Sequence, residues 1–175
     1  MRTYRRLILL SAALALQACA GPKEITLRYA PDFPGVPAGT GHHISLAEVE
    51  DERADKGLGK KASFFGKSPI NAPGQNVPLW VSSSIEAELR EAGFRVEEGG
   101  ALVLRTSLRD FRAGPAAEIR LKAALYRDGT RLFEKEYSEK EPIPVTGGTA
   151  ATEAGLLAAM RRVNVRLVYD VIGRL

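Results

Sequence analysis

The sequence predicts an α+β fold: a two-layer sandwich with two helices on one face of a mainly antiparallel sheet of four to five strands. Three observations carry this. Val81, Ile85, Leu89 and Ala92 fall at helical spacing, as do Leu156, Met160, Val163, Leu167 and Val171 near the end of the chain. Between these two helical stretches, residues 101–111 and 119–125 alternate apolar with polar side chains, the period of a half-buried strand. Asp128-Gly129 then supplies a two-residue hairpin turn.

Taken in order, Ile25, Leu27 and Tyr29 alternate and read as a strand. The prolines at 31, 34 and 37 and the glycines at 35, 39 and 41 interrupt the next stretch. Residues 42–50, with Ile44, Leu46 and Val49, form the next strand, closed by Asp51-Glu52-Arg53. Residues 54–75 read as a structureless loop, unusual inside a domain and therefore a functional candidate. Pro78 opens the first helix, Gly93 caps it, and Glu86, Glu88, Arg90 and Glu91 are assigned to its outer face. Trp80 is assigned to the core. Phe94-Arg95-Val96 leads out to the strands through Leu102, Leu104, Thr106 and Leu108, and then Ile119, Leu121, Ala123 and Leu125. The return strand, 131–138, places Phe133 and Tyr137 on one face. Gly147-Gly148 breaks the chain, Thr149 is the expected N-cap, and the last helix is widened by Leu157 and Val168.

The start of the chain has a different character. Arg2, Arg5 and Arg6 precede an apolar run of ten residues, 7–16. A span of the bilayer core needs about 20 apolar residues, so the run fits a cleaved export signal. It closes on Leu16-Gln17-Ala18-Cys19, which resembles the lipobox of bacterial lipoproteins, with Gln17 in place of the usual small or aliphatic residue. The resemblance implies cleavage before Cys19, a diacylglycerol thioether on its sulfur, and acylation of the new amine by a palmitate-type chain. An ordinary signal cut near Ala18 or Ala20 is the other reading. The chain's single cysteine favours the lipid role, because disulfide-built secreted domains carry cysteines in pairs. Ala20 is not the aspartate of the inner-membrane retention rule for lipoproteins, which points to the outer membrane, facing the periplasm.

The expected organisation is a signal peptide at 1–18, a lipidated cysteine with a tether and Pro/Gly-rich segment at 19–41, and a single domain at 42–175. If order begins at Glu24, the tether spans at most roughly 15–18 Å. If it begins at His42, flexible chain reaches roughly 25 Å. The formal charge of +4 loses three of its 25 basic residues with the signal, leaving 22 against 21 acidic. That balance excludes a nucleic-acid footprint.

The chemistry-bearing residues are sparse. His42-His43 are the two histidines, and neighbours on a strand point to opposite faces, so one metal is not held by both. No metal or other cofactor is expected. Ser82-Ser83-Ser84 lies on a helix without a nucleophile elbow. Gly57-Leu58-Gly59-Lys60-Lys61 lacks the phosphate-loop spacing. Glu97, Glu98, Glu134, Glu136, Glu139 and Glu141 are interleaved with basic residues and read as a solvated face. Arg161, Arg162 and Arg166 either keep the last helix wet or face lipid headgroups. Phe64-Phe65 among Lys60, Lys61 and Lys67 either contact a membrane or partner, or tuck the loop onto the core.

Val49-Glu50-Asp51-Glu52-Arg53 followed by Gly59, the helix end Leu89-x-x-Ala92-Gly93-Phe94, and the strand from Val103 to Leu108 resemble the YajG-type family of bacterial outer-membrane lipoproteins. The family has no established activity and implies no catalytic residues. Asp51 and Arg53 are its signature turn, with a structural salt bridge as the plain reading. The element order is also similar to auxiliary lipoproteins of lipid-transport systems, such as the LptE and PqiC types. The expected function is a non-enzymatic, lipid-anchored binding or assembly-support module with an envelope protein partner. The alternative is an auxiliary lipid- or glycan-binding subunit of an envelope transport system.

Overall fold

The computed structural model describes residues 23–63 and 66–175. In chain order the elements are β1 (Lys23–Glu24), β2 (His43–Leu46), β3 (Glu50–Asp51), β4 (Lys60–Ser63), β5 (Gly66–Asn71), α1 (Val77–Glu91), β6 (Arg95–Val96), β7 (Leu102–Ala113), β8 (Ala116–Arg127), β9 (Thr130–Pro142) and α2 (Gly148–Ile172). The main sheet runs β6-β2-β7-β8-β9, with β3 also on β7. β7, β8 and β9 form an antiparallel meander. Its tight turn is at Asp128 (φ 49°) and Gly129 (φ 79°), the two positive φ values that a type I′ hairpin requires.

Both helices pack on one face of this sheet, and the class is α+β as the sequence predicts. Leu104, Leu108, Phe111, Leu121 and Leu125 from the strands meet Val81, Ile85, Leu89, Leu156, Met160 and Leu167 from the helices, all at most 1 % exposed. The space between the layers is filled. The opposite face is laced with ion pairs, among them Lys122–Glu134 (2.8 Å) and Lys140–Glu118 (2.7 Å), which keep it wet while adding little stability each.

Several local expectations change. The meander is antiparallel, but β2 pairs parallel with β6 and β7, and β3 pairs parallel with β7, so the sheet is mixed. Side-chain alternation carries no sign of strand direction. The chain leaves β2, passes through α1 and returns to β6, a crossover that makes neighbours parallel. Residues 54–75 are not structureless. They hold the antiparallel hairpin β4–β5, which pairs through β5 with β1 in a separate three-stranded sheet. The segment through Ile25, Leu27 and Tyr29 is a strand only at Lys23–Glu24, although its burial still alternates. Ile25, Leu27 and Phe33 belong to the core.

At the helix ends, Asn76 caps α1 by accepting a hydrogen bond from the Leu79 backbone N–H at 3.2 Å, and proline stands in the first turn. Asn76→Ala should cost about 1 kcal/mol in urea-denaturation free energy; an unchanged midpoint would show the cap to be idle. The helix closes on Gly93 (φ 93°), where Phe94 N donates to Leu89 O and Gly93 N to Arg90 O, a Schellman pair. Thr149 is not the N-cap of α2. The helix starts at Gly148 after Gly147, one residue earlier, and Thr149 falls within its first turn.

Candidate functional site

β2 and β3 share the β7 edge, at Leu102–Leu104 and Ser107–Leu108 respectively, and the chain between them bulges outward. That bulge, the first turn of α1 and the middle of β7 and β8 enclose a cleft of about 1160 Å³. Most of its charges are already matched. Arg109 pairs with Glu52 and Lys122 with Glu134, while Arg105 lies 5.1 Å from the centre of the Tyr126 ring. Leu79, 65 % exposed, gives the cleft an apolar lip. Such a surface suits recognition of a mixed polar and apolar ligand. Sequence reasoning missed it, because its residues come from six separate elements, β2, β3, α1, β7, β8 and β9.

Asp51 and Arg53 stand at one margin. The Arg53 side chain is buried, and its Nε and Nη2 donate to the two Asp51 carboxylate oxygens at 2.9 Å each. The Arg53 backbone N–H also donates to Asp51 Oδ1, and Lys56 Nζ to the Asp51 carbonyl. The Arg53 guanidinium, with Lys56 adding to it against a burial penalty, holds the Asp51 carboxyl well below its ordinary value. Arg53 Nη1 is buried without a partner among the described residues. The turn is thus a fork-to-carboxylate clamp on a buried arginine, and no ligand is needed to explain Asp51.

The remaining candidates separate. His43 Nδ1 bonds Glu97, and His42 lies across from Phe94 at 6.5 Å between ring centres. Ser45 shares the sheet face of His43, but its hydroxyl donates to Glu97 O and accepts from Gly100 N. Ser84 is buried, donating to Val81 O and accepting from Asn164 Nδ2. No three His, Cys, Asp or Glu side chains are grouped to hold a metal ion among the described residues. Trp80 is half-buried, edge-on to Phe111 at 5.6 Å and Tyr29 at 6.1 Å.

Glu88 contradicts its assignment to the outer helix face, for it is fully buried. The segment after β1 crosses over it, and Tyr29 Oη donates to its Oε2 at 2.5 Å. Helical periodicity reports only which residues leave the first core layer, and a second layer of chain covers Glu88. Burial, then the Glu88 carboxylate, pushes the Tyr29 phenol up from its ordinary value. The arginines of α2 are also engaged: Arg162 and Arg166 bind Glu139, Arg162 also binds Glu141, and Arg161 binds Asp32 and the Ala30 carbonyl. They fasten α2 to β9 and to the N-terminal segment. Lys60 is exposed and Lys61 lies in β4. Leu16, Gln17, Ala18, Cys19, Ala20, Phe64 and Phe65 lie outside the described residues.

The fold is that of an α+β domain known from other chains. No protein-family model matches the sequence, and no curated protein matches it. Among solved structures, a Xanthomonas campestris protein of the family designated DUF330 superposes with a TM-score of 0.63 at 18 % identity, covering 86 % of this chain and 94 % of that one. An uncharacterised protein superposes at 0.64 with 10 % identity, over 86 % of this chain and 99 % of its own. A looser likeness, TM-score 0.46 at 16 % identity over 74 % of this chain and 99 % of the other, is to the lipoprotein GNA1162 of Neisseria meningitidis.

Proposed function

We propose that this chain is a lipid-anchored lipoprotein of the bacterial outer membrane, YajG-like, whose domain faces the periplasm as a non-enzymatic binding or assembly-support module. The observation that carries the reading is Leu16-Gln17-Ala18-Cys19 behind the basic and apolar start. The fold fits it in that β1 (Lys23–Glu24) is already paired with β5, so that on this reading only a few residues separate the anchor from the domain. The non-enzymatic part rests on how the side chains are used: Ser45, on the sheet face of His43, and Ser84 on α1 are spent on backbone and amide bonds, and His43 on a surface carboxylate.

Cys19→Ala tests the anchor. It should abolish the lipid mass increment and release the protein from the membrane fraction, and unchanged partition would sink the reading. Crosslinking in cells followed by purification tests the partner, with a stoichiometric envelope protein expected. The alternative, a lipid- or glycan-binding transport subunit, needs an open groove. The space between sheet and helices is filled, so the cleft lined by Glu52, Leu79, Arg105 and Tyr126 is where that ligand would bind.

A further inference from the structure

The direction in which the chain enters the fold bears on which end of the domain lies nearest an anchor at Cys19. β1 runs parallel to β5, with Lys23 beside Ile70 and Glu24 beside Asn71. β5 itself runs from the hairpin end at Gly66 back toward the body. The chain therefore enters β1 from the side of the hairpin end. Lys23 lies four residues after Cys19, a stretch of at most about 14 Å. From Ile70 to Gly66 is also four residues, about 13 Å of strand. The tether is about as long as the hairpin it starts beside.

That hairpin leaves the body at one end of the main sheet. Gly59 bridges Ala113 in parallel, so β4 continues in the direction of β7 at the point where β7 turns back through Gly114 and Pro115. The same end holds the start of α2, where Glu153 accepts from the Thr26 backbone N–H at 2.6 Å. It also holds the segment between β9 and α2, on which Val145 is 77 % exposed. The Asp128-Gly129 turn is at the far end of β8, roughly 35 Å away. The hairpin sequence is basic: residues 60–71 contain Lys60, Lys61 and Lys67 and no acidic residue.

We propose that the β4–β5 end of the domain rests on the lipid surface that holds the anchor, its lysines against anionic headgroups, with the Asp128-Gly129 end pointing away. This rests on the lipoprotein reading, because it is an anchor on so short a tether that keeps the hairpin within reach of the bilayer. A second contact of this kind complements an acyl anchor.

The test uses the full lipidated chain, whose Cys19 thiol is consumed by the thioether. Ser63→Cys and Thr130→Cys are labelled separately with an environment-sensitive fluorophore and reconstituted into phosphatidylglycerol–phosphatidylcholine vesicles carrying a headgroup quencher. Denaturation midpoints confirm that each labelled chain is folded. The label at 63 should be quenched and that at 130 spared. Lys60→Gln and Lys61→Gln should each lower the docked-to-undocked ratio about fivefold, and replacing the anionic lipid altogether should lower it further. A Cys19 without lipid mass overturns both the anchor and the orientation. Lipidated protein with equal signals at 63 and 130 overturns the orientation alone, as does shielding of 63 that needs an added protein. Quenching at 63 indifferent to lysine and lipid charge overturns the headgroup contact.

Discussion

Gly59→Ala should destabilise the fold by about 4 kcal/mol or more, the range reserved for changes that break a specific constraint. Two constraints meet at this residue. Its φ is +94°, which an L side chain adopts only with strain, and an added Cβ would stand 2.1 Å from the Ala113 carbonyl oxygen. The neighbour is backbone, so it has no side chain to swing away. Around it, Ala113 N donates to Leu58 O and Ile70 N to Gly59 O, the bonds that root the β4–β5 hairpin on the main sheet. Gly57→Ala, whose added Cβ would meet only the movable Asp55 side chain at 3.1 Å, is the control and should stay within about 1 kcal/mol. Urea denaturation of both variants decides it. A loss under about 1 kcal/mol at Gly59 would show that the junction relaxes freely.

Asp51→Ala should cost about 3–5 kcal/mol, the penalty for stranding a buried charge. The Arg53 side chain is 4 % exposed and already has one partnerless nitrogen, so the guanidinium has no route to water once its carboxylate is gone. Arg53→Met should cost less, and Asp51→Ala with Arg53→Met should recover much of the loss, which a double-mutant cycle measures. The direction of the shift sets the pH dependence. Asp51 titrates lower folded than unfolded, so its contribution is present above the unfolded value near 3.9 and is lost as pH falls through the folded value. The gap between wild type and Asp51→Ala should therefore be constant from pH 7 to about pH 5 and close in stronger acid. A gap that widened in acid would contradict the clamp.

Residues in two of the three stretches that carry the resemblance acquire a structural reason. Asp51 and Arg53 clamp the turn after β3, Gly59 is the close approach beneath the hairpin, and Gly93 is the left-handed cap of α1. An added Cβ at Gly93 would also stand 3.1 Å from Thr40 Oγ1 and 3.2 Å from Pro37 Cβ. These residues hold the chain's reversals and crossings, and such points tolerate few side chains.

Both helices, the β7–β8–β9 meander and the Asp128-Gly129 turn were legible because their signals are local. A period of 3.6 or 2 and a pair of φ-permissive residues need no knowledge of the rest of the chain. The parallel edge, the β4–β5 hairpin, the burial of Glu88 and the cleft were not legible, because each depends on what another segment brings. Lys-Lys-Ala-Ser and Gly-Lys-Ser-Pro-Ile-Asn have no alternation of their own, and become strands by pairing with each other and, through β5, with β1. Glu88 occupies a polar position on its own helix and is buried because Tyr29 crosses it from 59 residues away. By itself the sequence determined the α+β class, the meander and the motif on which the anchoring proposal rests. The tertiary structure alone decided strand direction, the burial of Glu88 and the end at which the chain enters, because those depend on pairings between residues distant in sequence.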